Sequence, residues 1–336
     1  MAPDRRMRHY GAFYGLERLP GPRSGRGSTG AARGTGGRRG EGRTEARTDG
    51  QADEHAPRVL VYGNCQAEAL RVSLDTAGSV QSVRMPPVHE LTLQDLPQLD
   101  RLLAWADVLV AQSVGEGYRG LPLGTGQVAA RLRRGARVVR VPNYFCTALY
   151  PEQVLVRHED PRVSDPPLVP YHDVRRLGKA GGWSGPAEVP ATAVRAGAEA
   201  SIAELARRES EQGSLVISDV VRSSGAEAGW TVDHPGNPVL LALAQRVLDE
   251  VGAGGTVRDP GRILLSEVMT PLRPEVLDAL DHDPAAERTA WVVGGRQVSD
   301  EEVAAAHEEF YAAHPRVVEV GLEKKGAVLR RLGWRP

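Results

Sequence analysis

The tetrapeptide Gly63-Asn64-Cys65-Gln66 is where residue types and order in this sequence suit covalent chemistry. It follows the β-branched and aromatic run Arg58-Val59-Leu60-Val61-Tyr62, which reads as a buried strand. It precedes Gln66 to Leu74, in which Ala67, Leu70 and Leu74 share one helical face. A cysteine at the first turn of a helix meets free backbone N–H groups and the positive end of the helix dipole. Both lower a thiol pKa, so Cys65 is expected to be more thiolate-like than a free cysteine. The same N–H groups can receive an oxyanion. Gly63 permits a tight turn and close approach of a ligand, and Asn64 and Gln66 add amide donors beside the sulfur. The alternative, a cysteine packed as a small hydrophobe, is the expectation for Cys146. Gly, Asn and Gln beside Cys65 are poor core residues.

A general base is the natural companion of such a thiol. His234 lies in Asp233-His234-Pro235-Gly236-Asn237-Pro238, just before a helix from Pro238 to Val251, with Asn237 placed to cap it. A loop stiffened by two prolines suits a fixed general base; the bland reading is a capping turn with a surface histidine. Asp233 is adjacent and its side chain should diverge, so it is not the obvious orienting acid. Gln112 ends a second strand and should reach the same strand-end crevice. Tyr118 and Arg119 follow it, the arginine suited to a phosphate or simply solvated. His172, in Tyr171-His172-Asp173, could hold a substrate hydroxyl or phosphate, or be a loop residue. The remaining histidines show no metal-ligand spacing, so no metal is expected. There is no P-loop and no GxSxG elbow.

These side chains must be positioned by alternating strands and helices. Ala106–Ala111 and Ala136–Val141 read as strands, preceded by helical Leu99–Trp105 and Gly126–Arg134. Such alternation implies parallel strands with crossover helices. Residues 151–190 should be mostly loop, 193–211 helix, 214–218 a further strand, and 300–313 helix. The expected class is α/β, a parallel sheet flanked by helices. Its parts are a disordered Gly/Arg-rich tail over 1–57, a catalytic core over 58–254 and a mixed extension over 255–336.

The chain has 336 residues, 41% hydrophobic and 25% charged, ample for a sizeable core. A net charge of -1 calls for neither nucleic acid nor an anionic membrane. Two cysteines are no disulfide framework, which suits a reducing cytoplasm. No run approaches the ~20 apolar residues of a membrane span, and Met1–Pro20 lacks a signal-peptide h-region. Self-association as a homo-oligomer is left open.

In order, the strand-Gly63-Asn64-Cys65-Gln66-helix unit, Asp107–Gln112, Tyr118-Arg119, Tyr171-His172-Asp173 and His234-Pro235-Gly236-Asn237 resemble the WcbI-type acetyltransferases of polysaccharide biosynthesis, over residues 58–250 or so. The resemblance implies acetyl transfer from acetyl-CoA to a sugar hydroxyl, with Cys65 and His234 at the reactive positions and Gln66 and Gln112 nearby. The layout is also similar to SGNH hydrolases and acyltransferases. It departs from them in having cysteine where they have serine, and Thr231 where an aspartate would precede His234 by three residues. The acceptor implied is a carbohydrate or small metabolite. An SGNH-like esterase and a non-catalytic glycan- or CoA-binding protein are the rival readings.

Overall fold

A computed structural model describes residues 4–21, 56–156 and 165–336 of the chain. After a short helix α1 (Arg5–His9), the core alternates as the sequence pattern requires: β1 (Arg58–Tyr62), α2 (Cys65–Asp75), β2 (Gln81–Ser82), α3 (Leu96–Trp105), β3 (Val108–Gln112), α4 (Thr125–Ala129) and β4 (Arg137–Val141). The four strands form one parallel sheet in the order β2-β1-β3-β4. Alternate side chains of β1 and β3 enter opposite layers, as the two-residue period of a strand demands. Val59, Val61, Val108 and Val110 pack with Leu70 and Leu74 of α2, while Leu60, Tyr62 and Leu109 pack with Leu99, Leu102 and Leu103 of α3.

The second layer holds a correction. Asp4–Gly21 is not a loose tail. Phe13 is fully buried among Leu60, Tyr62 and α3, Arg101 donates to the Phe13 carbonyl at 2.7 Å, and Trp105 Nε1 donates to the Pro20 carbonyl at 3.0 Å. Residues 22–55 of the expected tail lie outside the described residues.

Beyond β4 come β5 (Gln153–Val154) and β6 (His172–Asp173), an antiparallel pair, then α5 (Val174–Ala180), α6 (Ala191–Gln212), α7 (Ser218–Ser223) and α8 (Asn237–Val251). Where mostly loop was expected over 151–190, the described residues 151–156 and 165–190 hold β5, β6 and α5. The strand expected at 214–218 does not form. Leu215 gives one hydrogen bond to the Arg140 carbonyl of β4 (2.9 Å). The buried Glu209 carboxylate then accepts from Ile217 N (2.7 Å), Ser218 N (3.0 Å) and Ser218 Oγ (2.6 Å), which turns the chain into α7.

The last stretch contains β7 (Val268–Met269), α9 (Pro274–Ala279), β8 (Trp291–Val293), β9 (Arg296–Val298), α10 (Asp300–Ala313) and α11 (Pro315–Arg331). It shares the core of the sheet: Trp291, Leu272 and Leu329 belong to the apolar cluster that includes Val59 and Val110. Buried Glu152 and Asp173 stand opposite Arg175 and Arg273, joining it to β5 and β6. Among the described residues, no helix is long and apolar enough to cross a membrane.

Candidate active site

The turn after β1 is built by two buried amides. Gly63 has no Cβ because one there would stand 2.1 Å from Gln112 Oε1. Gln112 fills that space, accepting from Asn64 N at 2.8 Å and donating to Gln66 Oε1 at 2.9 Å. Gln66 Oε1 also accepts from Tyr144 N (3.0 Å), and its Nε2 donates to the carbonyls of Tyr144 (2.9 Å) and Asp233 (2.7 Å). Both donors of the Gln66 amide are thus committed, so Gln66 is a clamp between α2 and the His234 loop. Its expected role as an oxyanion donor does not fit. Asn64 likewise spends its side-chain oxygen on Gln66 N (2.9 Å), capping α2.

That clamp brings the two reactive residues together. Cys65 Sγ and His234 Nε2 are 3.8 Å apart, within reach of an S–H···N hydrogen bond. The electrostatics reverse the expectation of a thiolate. Burial pushes the Cys65 thiol up to about 11, with the Asp233 carboxylate acting in the same sense, and the N–H groups of Cys65 and Gln66 pull only partly back. Burial also lowers the His234 pKa, against the charge of Asp233 and the backbone of Val268 and Leu265. At neutral pH the pair is a thiol facing a neutral imidazole.

The His234 loop is fixed from both sides. Thr231 Oγ1 accepts from His234 N (3.0 Å) and donates to Asp233 Oδ1 (2.9 Å), which also accepts from Tyr171 OH (2.7 Å). Among the described residues no group hydrogen-bonds the buried Nδ1 of His234; the backbone of Leu265 and Val268 lies near the ring. Leu265 is held at φ 55, the left-handed region. Asn237 is not the cap of α8, a position taken by Gly236. Its side chain instead donates to the Arg262 carbonyl (2.9 Å) and accepts from Leu264 N (2.9 Å), tying residues 262–264 to the loop.

Two hollows flank Asn64. One, about 240 Å³, is lined by Cys65, Gly63, Tyr10, Glu68, Arg71 and Arg84 among others. The second, about 590 Å³, is lined by Gln112, Ser113, Tyr118, Asn143, Lys324 and Lys325 among others. Tyr118 therefore lies beside the site. Arg119, in the left-handed region at φ 54, donates to the His89 carbonyl and lines neither hollow. His172 does not reach the site either. It is 1% exposed, bonded through Nδ1 to Tyr311 OH (2.8 Å) and packed near His307, so its expected substrate contact does not fit. Tyr10 and the two lysines carried no signal in the sequence, since each reaches the site only through tertiary packing, whereas Tyr171 and Thr231 stood out in the motif pattern without a role. Among the described residues no group of three or more His, Cys, Asp or Glu could hold a metal ion.

The family described as polysaccharide biosynthesis enzyme WcbI matches residues 58–256. Among solved structures, one described as WcbI, a novel polysaccharide biosynthesis enzyme, in a native form without a disulfide bond between CoA and one of its cysteines, superposes with a TM-score of 0.66. It is 18% identical, and the match covers 83% of this chain and 99% of that one. No curated protein matches the chain.

Proposed function

The chain belongs to the WcbI family of polysaccharide biosynthesis enzymes, and from that premise we propose that it transfers an acyl group, acetyl in the simplest case, from a CoA thioester to a hydroxyl of a sugar or small metabolite. The observation that carries the reading is the 3.8 Å contact between Cys65 Sγ and His234 Nε2 at the carboxyl end of a parallel sheet. A CoA thioester is polyanionic at its nucleotide end. Lys324 and Lys325 of α11, in the wider hollow, would hold those phosphates.

The chemistry follows from two neutral partners. His234 Nε2 takes the Cys65 proton as the sulfur bonds to the thioester carbonyl carbon, so the high thiol pKa is offset within the step. The Cys65 N–H, at the first turn of α2, faces the developing oxyanion. When the donor's C–S bond breaks, His234 gives the proton to the departing CoA thiolate, which leaves as the thiol. The acceptor hydroxyl then gives its proton to His234, its oxygen bonds to the acyl carbon, and Cys65 leaves as thiolate and regains the proton. With no carboxylate on Nδ1, the ring is positioned by its loop, which Thr231 holds through the His234 N–H, and the role of base falls to Nε2, the nitrogen that faces Cys65.

The test is to mix the protein with acetyl-CoA, quench in acid and weigh the peptide that contains Cys65. One acetyl group should appear in the wild type and be lost in His234→Gln. Turnover without an acylated Cys65 would replace the covalent route by direct attack of a His234-activated acceptor. Release of free acetate with no need for an acceptor would point to the esterase.

A further inference from the structure

We propose that the N-terminal segment Asp4–Gly21 is a working wall of the Cys65 hollow, and that Tyr10 is its specificity-determining residue for a polyhydroxyl acceptor. The inference rests on the acyl-transfer reading above and concerns a part of the chain outside the family-matched residues 58–256.

Tyr10 is 9% exposed and lines the same hollow as Cys65. Its ring lies under the Arg84 guanidinium, 5.6 Å from centroid to Cζ. Its hydroxyl makes no hydrogen bond to the described residues, in contrast to that of Tyr14, which donates to Asp95 at 2.9 Å. The segment is firmly held. Phe13 is its apolar anchor, and Arg6 donates to the Glu90 carbonyl (2.8 Å) and pairs with Asp95 (3.2 Å). Arg6 therefore ties the segment to the turn that carries Glu90 on the rim of the hollow.

The composition of the hollow selects the ligand class. Two carboxylates, Glu68 and Glu90, face two guanidiniums, Arg71 and Arg84, so formal charge cancels. That balance gives no preference to phosphates, which have the two lysines of the wider hollow. So many charged groups also disfavour a long acyl chain. An aromatic ring, apolar Met85, Pro86 and Pro87, and both donors and acceptors around them suit a neutral ring bearing hydroxyls, with one hydroxyl presented at Cys65.

The experiment is saturation-transfer NMR on the full chain with methyl α-glucopyranoside, methyl α-mannopyranoside and methyl α-galactopyranoside as probes. At least one should receive saturation from the wild type, and its affinity should fall about three- to tenfold in Tyr10→Phe and further in Tyr10→Ala. Should Tyr10→Ala fail to fold, Tyr10→Phe and Glu90→Gln decide. The proposal is overturned if no glycoside receives saturation from the wild type, or if the folded variants bind as the wild type does. Acetylation of Cys65 is scored on the same wild-type protein. Acetylation without glycoside binding removes this inference alone, whereas Tyr10-dependent binding without acetylation removes the transfer reading alone.

Discussion

Cys65 Sγ and His234 Nε2 meet at 3.8 Å although 169 residues separate them in the chain. The contact joins a sheet-borne turn to a loop held by the C-terminal segment, and each side of it can be removed separately. Cys65→Ala should abolish transfer with little change in melting temperature, because the residue is only half-buried at a helix start. His234→Gln should slow the reaction by at least ~10²–10⁴-fold, the usual contribution of a general base, again with the fold intact by circular dichroism. A folded His234→Gln protein with a near-normal rate would remove the assignment.

The pH profile distinguishes a neutral pair from a preformed thiolate. Burial lowers the His234 pKa, so the active neutral imidazole persists below the usual ~6.5. kcat/KM should be flat through neutrality and decline only on the acid side of that value. A thiolate-dependent enzyme with a thiol at about 11 would instead gain about tenfold per pH unit from neutrality upward. Iodoacetamide should alkylate Cys65 slowly at neutral pH.

Gln66 is the residue whose loss should show in both stability and rate. Gln66→Leu keeps the volume but leaves the carbonyls of Tyr144 and Asp233 and the Tyr144 N–H unpaired in the interior. The expected destabilisation is about 2–4 kcal/mol, read from denaturant melts, together with loss of turnover as the His234 loop drifts from Cys65.

Removal of residues 1–21 should lower the melting temperature markedly. Phe13→Ala alone should cost about 3–5 kcal/mol, as for other fully buried aromatics. A truncated chain that melts like the wild type would show that the second apolar layer closes without it.

Acid should loosen the fold through two histidines remote from the chemistry. Burial holds His172 down at about 3 and His307 at about 4. A depressed folded-state pKa means that the unfolded chain binds more protons between that value and ~6.5. Their contribution to stability is complete above ~6.5 and is lost as pH falls toward the folded values, by roughly 1 kcal/mol per pH unit for each histidine. His307→Leu should flatten the dependence measured by thermal melts between pH 6.5 and pH 4 or so.

Local pattern made much of this legible. The run Arg58–Tyr62, the glycine after it and the stripe Ala67, Leu70, Leu74 place Cys65 at a strand-helix turn with no knowledge of the rest. The prolines around His234 mark a helix entry in the same way. Burial is a tertiary property, so the sign of the Cys65 shift could not be read from a helix N-terminus. Nor could the filling of the Gln66 amide by groups 46 to 167 residues away. Ser214–Ser218 has the composition of a strand but meets Glu209, a partner that no period reveals. α11 was hidden by Gly321 and Gly326, which lower helix propensity. Gly321 is required by packing, because a Cβ there would lie 2.7 Å from Leu177 Cδ2.

The Asn237 bridge to Arg262 and Leu264 bears on how small a working version of this protein can be made. A fragment trimmed to the family-matched residues 58–256 would carry both reactive side chains. It would lack the 262–268 backbone near one of them and the Phe13-anchored segment whose Tyr10 walls the hollow of the other. Such a fragment is expected to keep the recognisable motif and lose the catalyst, so expression boundaries for this protein should enclose Asp4 at one end and α11 at the other.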